Sequence, residues 1–190
     1  MLIIVAGTIG AGKSTVAKAL ARRLEIPLLS VDDDKRAEGT SIPDFPRWVA
    51  NGHPFPDDFR SKAFDRTLGR LAAIVATTPH AVVEETFHRK TIRDRFFEQG
   101  EQLLNGIVLV EVVADEAVVR ERLRARATTE SDHLAGVTMY EAFRAVSDPQ
   151  DRTDFVFRND TDFAAELDRC CEYVRKRIDS QRASGVVGEP

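Results

Sequence analysis

The sequence predicts an α/β fold, a parallel sheet flanked by helices, and two observations predict it. An apolar run at the N-terminus ends in a glycine-rich segment that leads straight into a helical repeat. Short β-rich runs then alternate with amphipathic helical repeats along the rest of the chain, the pattern of parallel strands buried on both faces by crossover helices.

The elements follow in order. The run Leu2, Ile3, Ile4, Val5, Ala6 is the first strand, and Val16, Leu20 and Leu24 recur at helical spacing behind the glycines until Pro27 closes that helix. Residues 28–31 form a short buried strand that ends at Asp32, Asp33 and Asp34. Residues 37–58 are punctuated by glycine and proline around Phe45, Trp48 and Phe55 and are expected to be partly mobile. Phe64, Leu68, Leu71 and Val75 restore a helix, Ala81, Val82 and Val83 a strand that ends in Glu84 and Glu85, and Ile92, Phe96 and Leu103 another helix. The β-rich stretch Ile107–Val113 leads through Asp115 into an arginine-rich helix with Val119 and Leu123. After a polar connection near residues 128–132, Met139, Phe143 and Val146 fit a short helix and Phe155, Val156 and Phe157 a fifth strand. Phe163, Leu167, Cys171, Val174 and Ile178 complete a closing amphipathic helix, with a flexible tail over residues 181–190.

Composition narrows the function. The 190 residues are enough for one domain, read as residues 1–180, and 43% hydrophobic with 31% charged residues is a globular balance. A net charge of -4 gives no basic field for a long nucleic acid or an acidic membrane. No apolar run reaches the roughly 18 residues of a membrane span, and no basic leader precedes the first strand. The two cysteines, Cys170 and Cys171, are adjacent, poor geometry for a mutual disulfide and no metal-ligand spacing, so a cytoplasmic setting is expected.

The chemistry concentrates in Gly7, Thr8, Ile9, Gly10, Ala11, Gly12, Lys13 and Ser14, a full match to G-x-x-x-x-G-K-[ST]. The glycines allow close backbone approach, and loop and helix N–H groups converge on a phosphate. Lys13 meets the β and γ phosphates of ATP, the Ser14 hydroxyl ligates Mg2+, and Thr15 reaches the α phosphate. A chance match arises on the order of once in a hundred chains of this length, and the strand-loop-helix context lowers that further. Glu84 and Glu85 end the third strand, where an acid can organise magnesium. Strand alternation admits one of them, Glu84 being preferred over Glu85, and a solvated loop charge is the plain alternative.

These residues resemble the small P-loop kinases of the adenylate kinase-like superfamily. Within it they are most similar to the group with polynucleotide 5′-hydroxyl kinases and zeta-toxin-like phosphotransferases. The matching pieces are residues 7–15, 30–36, 82–87, 122–126 and 131–132. The resemblance implies a three-layer P-loop NTPase fold with a five-stranded parallel sheet and a small lid, ATP and Mg2+ as cofactors, and transfer of a phosphoryl group to a hydroxyl. It also implies an acidic base followed three positions later by arginine. That spacing selects Asp33 with Arg36 as acceptor-binding residues, Asp33 being the catalytic base, while a one-residue shift would select Asp32 and a helix cap would need neither. Relatives usually carry Asp where Glu84 stands. Thr86 and Arg89 fall where such proteins touch the acceptor. An R-L-x-x-R pattern opens the family's lid, here residues 120–136, with Arg126 as catalytic clamp and Arg122 on the nucleotide, or both on a solvated face beside Glu121. Asn159, Asp160, Thr161 and Asp162 resemble either a loop beside adenine or a helix cap.

The expected activity is an ATP-dependent kinase acting on a small hydroxyl-bearing molecule or nucleoside. Residues 37–60, with Arg47 and Trp48, help form the acceptor pocket or pack a satellite core. The alternative, a nucleotide-dependent switch, would be expected to show N/T-K-x-D and D-x-x-G motifs, and neither is in the chain.

Overall fold

The structure, a computed structural model, describes residues 1–39, 57–129 and 136–185. Among these, five strands and seven helices alternate: β1 (Leu2–Gly7), α1 (Lys13–Leu24), β2 (Leu28–Ser30), α2 (Val31–Gly39), α3 (Asp57–Val75), β3 (Ala81–Glu84), α4 (Lys90–Leu104), β4 (Ile107–Val113), α5 (Glu116–Thr129), α6 (Val137–Val146), β5 (Phe155–Arg158) and α7 (Phe163–Gly185). The strands form one parallel sheet in the order β2-β3-β1-β4-β5. After β1 the chain builds outward on one side, then returns to add β4 and β5 on the other. The carboxyl end of β1 is therefore the switch point at which ligands of open α/β sheets gather.

The three layers follow from strand alternation. Ile3 and Val5 of β1, with Val108, Val110 and Val112 of β4, face α1 and α7 and pack against Val16, Leu20, Leu167 and Val174. Leu2, Ile4 and Ala6 point to the opposite face and meet Phe64, Leu68 and Leu71 of α3 and Ile92 and Phe96 of α4. Cys170 and Cys171 are unpaired and buried in the first of these layers, and burial pushes the Cys170 thiol up to about 12, which suits a packing role.

Two element bounds differ from the sequence reading. Strand β2 stops at Ser30, and Val31 already opens α2, with all three aspartates in its first turn. Carboxylates there face the positive end of the helix dipole, and Val31 is fully buried under the sheet. Helix α7 runs through residue 181 to Gly185, so the expected tail starts later. The Gln181 amide donates to the carbonyls of Leu104 and Asn105, which ties this turn to the end of α4. Most of the segment at 37–60, the lid connection at 130–135 and residues 186–190 lie outside the described residues.

Candidate functional site

The loop between β1 and α1 owes its shape to glycine at two positions. Gly10 has φ +81°, and a β-carbon there would sit 2.9 Å from Val119 and 3.0 Å from Leu123. Gly12 has φ +95°, and a β-carbon there would overlap the Asn159 amide. Asn159 uses that amide to donate to the Ala11 carbonyl at 2.7 Å, and Arg122 donates to the same carbonyl at 3.3 Å and to the Asn159 carbonyl at 2.6 Å. The loop is thus braced from β5 and α5; at the head of α1 the Thr15 and Val16 N–H groups already bond the Gly12 carbonyl, and the N–H groups of Lys13 and Ser14 belong to the unpaired first turn that a helix N-terminus offers an anion.

Lys13 donates to the Thr8 carbonyl at 3.1 Å. Desolvation pulls its pKa below the ordinary lysine value, against the opposing pull of Glu84, Glu85 and Asp32. Ser14 and Thr15 are exposed in the first turn of α1, and the Ser14 hydroxyl lies 3.2 and 3.1 Å from the two carboxylate oxygens of Glu84. Ser30 donates to the same carboxylate at 2.7 Å. Glu84 is only 5% exposed, and burial raises its pKa although Lys13 and Ser30 pull the other way. Two hard oxygen donors side by side, one an under-compensated buried carboxylate, fit a magnesium ion. Among the described residues no cluster of three or more acidic, histidine or cysteine side chains forms a metal cage. A magnesium ion held largely by nucleotide phosphates and water needs none.

Glu85 points elsewhere. It pairs with the Lys35 ammonium at 2.5 Å, both side chains being buried, and it accepts from Thr86. Burial alone would raise its pKa, but the Lys35 charge and hydrogen bonds overcome that and hold it far below the usual carboxylate range. Alternation at the end of β3 therefore gives Glu84 to the phosphate loop and Glu85 to a buried ion pair.

The three aspartates of α2 separate in the same way. Asp34 is buried, accepting from Thr67 at 2.7 Å and from Arg70 at 3.0 Å, and ties α2 to α3. Asp33, the residue the arginine spacing selects, is largely exposed and takes only a 3.3 Å bond from Arg36. Asp32 is half-exposed, bonded at 3.0 Å to Lys35, and is among the largest charges acting on Lys13 and on Glu84. Asp33 is not among them. Asp32 with Lys35 repeats the acid-to-cation spacing one residue earlier, in the register nearer the loop. Arg126, one turn beyond Arg122, is exposed. Asp162 accepts from the N–H groups of Ala164 and Ala165, so this end of the Asn159 segment is a helix cap.

A cavity of about 400 Å3 opens beside the loop, walled by Thr8 and Ile9, by His88 after β3, by Val112 of β4, by Phe143 of α6 and by Gln150. Its far wall depends on Arg93, which the sequence reading did not single out. Arg93 is 2% exposed and donates to the Phe87 carbonyl at 3.1 Å and to the Pro149 carbonyl at 2.8 Å. Phe87 holds φ +49°, unusual for a bulky residue, so this clamp fixes a backbone that would otherwise relax. Arg93→Met should leave the Pro149 carbonyl without this donor and the Phe87 carbonyl with only the long 3.5 Å contact from Gln150, and lower unfolding free energy by about 2 to 4 kcal/mol, read from urea denaturation. A change within about 0.5 kcal/mol would show that the clamp is dispensable.

His88 is 6% exposed, lies against the Phe143 ring at 4.5 Å, and has Arg60 at 3.3 Å and Thr86 at 3.0 Å from its Nδ1. Burial, and then the charges of Arg60, Lys35, Arg89 and Lys13, drive its pKa down to about 2. The unfolded chain protonates this imidazole near its ordinary value of 6.5 while the folded chain refuses the proton. Stability should therefore fall as pH drops below that value, by up to about 1.4 kcal/mol per pH unit for one group. His88→Leu should show a shallower loss between about pH 6 and pH 5 than the unsubstituted chain, and an equal slope would contradict the assignment.

The comparisons agree with this architecture. The AAA domain family matches residues 2–149. A shikimate kinase of Cereibacter sphaeroides is 32% identical over 127 residues, 66% of this chain and 57% of that protein. An adenylate kinase of Streptomyces lividans is 30% identical over 146 residues, 73% of this chain and 70% of that protein. The chain thus spans a little over half the length of the first relative and more of the second. A sugar kinase structure from Janibacter sp. HTCC2649 superimposes with TM-score 0.68 at 14% identity, over 92% of this chain and 94% of that one, which shows a shared fold. No helix among the described residues is long and apolar enough to cross a membrane. A braced G-x-x-x-x-G-K-S loop at the switch point of a 2-3-1-4-5 parallel sheet, joined to these matches, means that the chain belongs to the AAA domain family as a P-loop kinase-type domain related to shikimate and adenylate kinases.

Proposed function

We propose that the protein is an ATP-dependent kinase that transfers the γ-phosphoryl group to a hydroxyl of a small acceptor, in the cytoplasm. The observation that carries the reading is Asp32, held by the buried Lys35–Glu85 pair within electrostatic reach of Lys13 and Glu84. A module that only binds nucleotide has no use for a carboxylate fixed there.

In this reading the loop N–H groups and Lys13 hold the phosphates of ATP, and Ser14 and Glu84 hold magnesium. Magnesium, when bound, draws charge from the phosphate oxygens and so stabilises the transition state. Asp32 accepts the proton of the acceptor hydroxyl as its oxygen bonds to the γ-phosphorus. The bond from that phosphorus to the β-γ bridging oxygen breaks, and ADP leaves with the electron pair. Arg122 sits against the loop already, and Arg126 completes the clamp on the nucleotide and the transferring group when α5 and the lid close.

The finer resemblance, to polynucleotide 5′-hydroxyl kinases and zeta-toxin-like phosphotransferases, rests here on the head of α2. The acid-to-arginine spacing that the resemblance implies is Asp33–Arg36, and Asp32–Lys35 repeats the spacing one residue earlier with lysine in place of arginine. The geometry favours Asp32–Lys35, with Asp33 and Arg36 left at the outer edge, where they can contact the acceptor.

The test is incubation with ATP, magnesium and pools of nucleosides, sugars, polyols and amino alcohols, followed by mass spectrometry of the pool. A hydroxyl compound that gains one phosphoryl group as ADP appears would support the reading. ATP turning slowly into ADP and inorganic phosphate at the same rate with every pool would point to a switch instead.

A further inference from the structure

We propose that Asn159 is a positioning residue for the phosphate loop: its side-chain amide turns the Ala11–Gly12 peptide so that the Gly12 N–H faces the phosphates of the nucleotide, and it reads no part of the base. This deepens the nucleotide half of the kinase reading and requires only that the loop binds a polyphosphate.

A trans peptide carries its C=O and its N–H on opposite sides, so whatever holds a loop carbonyl also aims the N–H of the next residue. Among the described residues no peptide bond is cis. Around Gly12 the loop fastens two of its peptides by itself. The Ala11 N–H donates to the Thr8 carbonyl at 3.3 Å, and the Gly12 carbonyl accepts from Thr15 and Val16, both at 3.1 Å. The peptide between them is held from outside, where its Ala11 carbonyl accepts from Asn159 at 2.7 Å and from Arg122 at 3.3 Å. A carbonyl only accepts, so the Asn159 atom that meets it is the amide nitrogen. The Gly12 N–H therefore points away from Asn159 and Arg122, into the ring of N–H groups that a G-x-x-x-x-G-K-[ST] loop closes on a phosphate.

Asn159 is itself anchored. Its N–H donates to the Val113 carbonyl at 2.8 Å, which extends the pairing of β4 with β5, and its carbonyl accepts from Arg122 at 2.6 Å. The next residue, Asp160, accepts from the Asp115 N–H at 2.8 Å, so the turn is tied to the β4–α5 connection as well. The side chain thus reaches the loop from a backbone fixed to the sheet and to α5. Gly12, at φ +95°, leaves no room for a β-carbon beside the Asn159 amide, so amide and loop are in direct contact. The same geometry separates this role from contact with adenine. The amide nitrogen is engaged with Ala11 and the backbone with Val113 and Arg122, so nucleotide binding should depend on Asn159 through the phosphates.

Asn159→Leu keeps the size of the side chain and removes the donor. Isothermal titration of this variant with magnesium and either a non-hydrolysable ATP analogue or base-free tripolyphosphate should show both ligands binding about fivefold to tenfold more weakly, the effect of one hydrogen bond. In acceptor-dependent turnover KM for ATP should rise while kcat stays within about threefold, because the phosphate contact is present before and during transfer. Asp162→Ala, which removes only the cap of α7, should lower the melting midpoint and leave both affinities unchanged. Weakening of the ATP analogue alone would make Asn159 a base contact, and unchanged binding of both ligands would make its bond to Ala11 idle. Equal weakening by Asp162→Ala would reduce the effect to general stability. Each of these results would overturn the proposal. In the unsubstituted chain the Asn159 side-chain amide signals in NMR should shift alike with either ligand. A shift with the ATP analogue and none with tripolyphosphate would overturn it even if Asn159→Leu did not fold. Matched weakening of both ligands, in a chain that phosphorylates no acceptor, would leave Asn159 in this role and remove the kinase reading.

Discussion

Lys13→Ala is expected to lower acceptor-dependent turnover by about 10²-fold or more, because removing one preorganised donor from a transition state with developing charge costs about 3 kcal/mol or more. The position makes the effect specific. Lys13 already loses hydration at the loop, which lowers its pKa, and Glu84, Glu85 and Asp32 pull the other way beside the place where phosphate oxygens would sit. Nucleotide binding should weaken less than turnover, since the N–H groups of the loop and of α1 remain. The fold should persist, because the braces on the loop come from Asn159 and Arg122 rather than from the ammonium. Turnover equal to that of the unsubstituted chain would remove Lys13 from the mechanism.

Asp32→Asn should reduce turnover by about 10² to 10⁴-fold, the usual contribution of a positioned general base, with a small change in KM for ATP. Asparagine keeps the shape, and Lys35 keeps Glu85 as its partner, so the head of α2 should stay in place. Asp33→Asn, at an exposed carboxylate bonded to Arg36 that this reading puts at the edge of the acceptor rather than on the reacting hydroxyl, should leave kcat within about threefold and act mainly on KM for the acceptor. The reverse ranking would move the base to Asp33 and restore the register chosen by the arginine spacing alone.

What the chain reveals about itself before folding depends on how local the physics is. The first strand, the loop and α1 are contiguous, so glycine spacing, Lys13 and the apolar run before them are legible together. The layers were legible as well, since Ile3 and Ile4 differ only by the strand's alternation and that alternation assigns each to a face. The same rule separates Glu84 from Glu85. The aspartates of α2 were not separable, because what distinguishes them lies far along the chain: Thr67 and Arg70 claim Asp34, and Glu85, through Lys35, orients Asp32. No local pattern announces that Asn159 will brace Ala11, or that Arg93 will join Phe87 to Pro149. A signal existed only for His88, which lies just beyond the strand-end acids on the rim where ligands gather, although its partners Arg60 and Phe143 come from α3 and α6.

The most direct test of the account is coupled ADP release with ATP and magnesium, with and without pooled small hydroxyl compounds, in the unsubstituted chain, Asp32→Asn and Asp33→Asn. The account predicts release that rises with at least one pool, collapses in Asp32→Asn and survives in Asp33→Asn. Slow release that ignores every pool and both substitutions would contradict it.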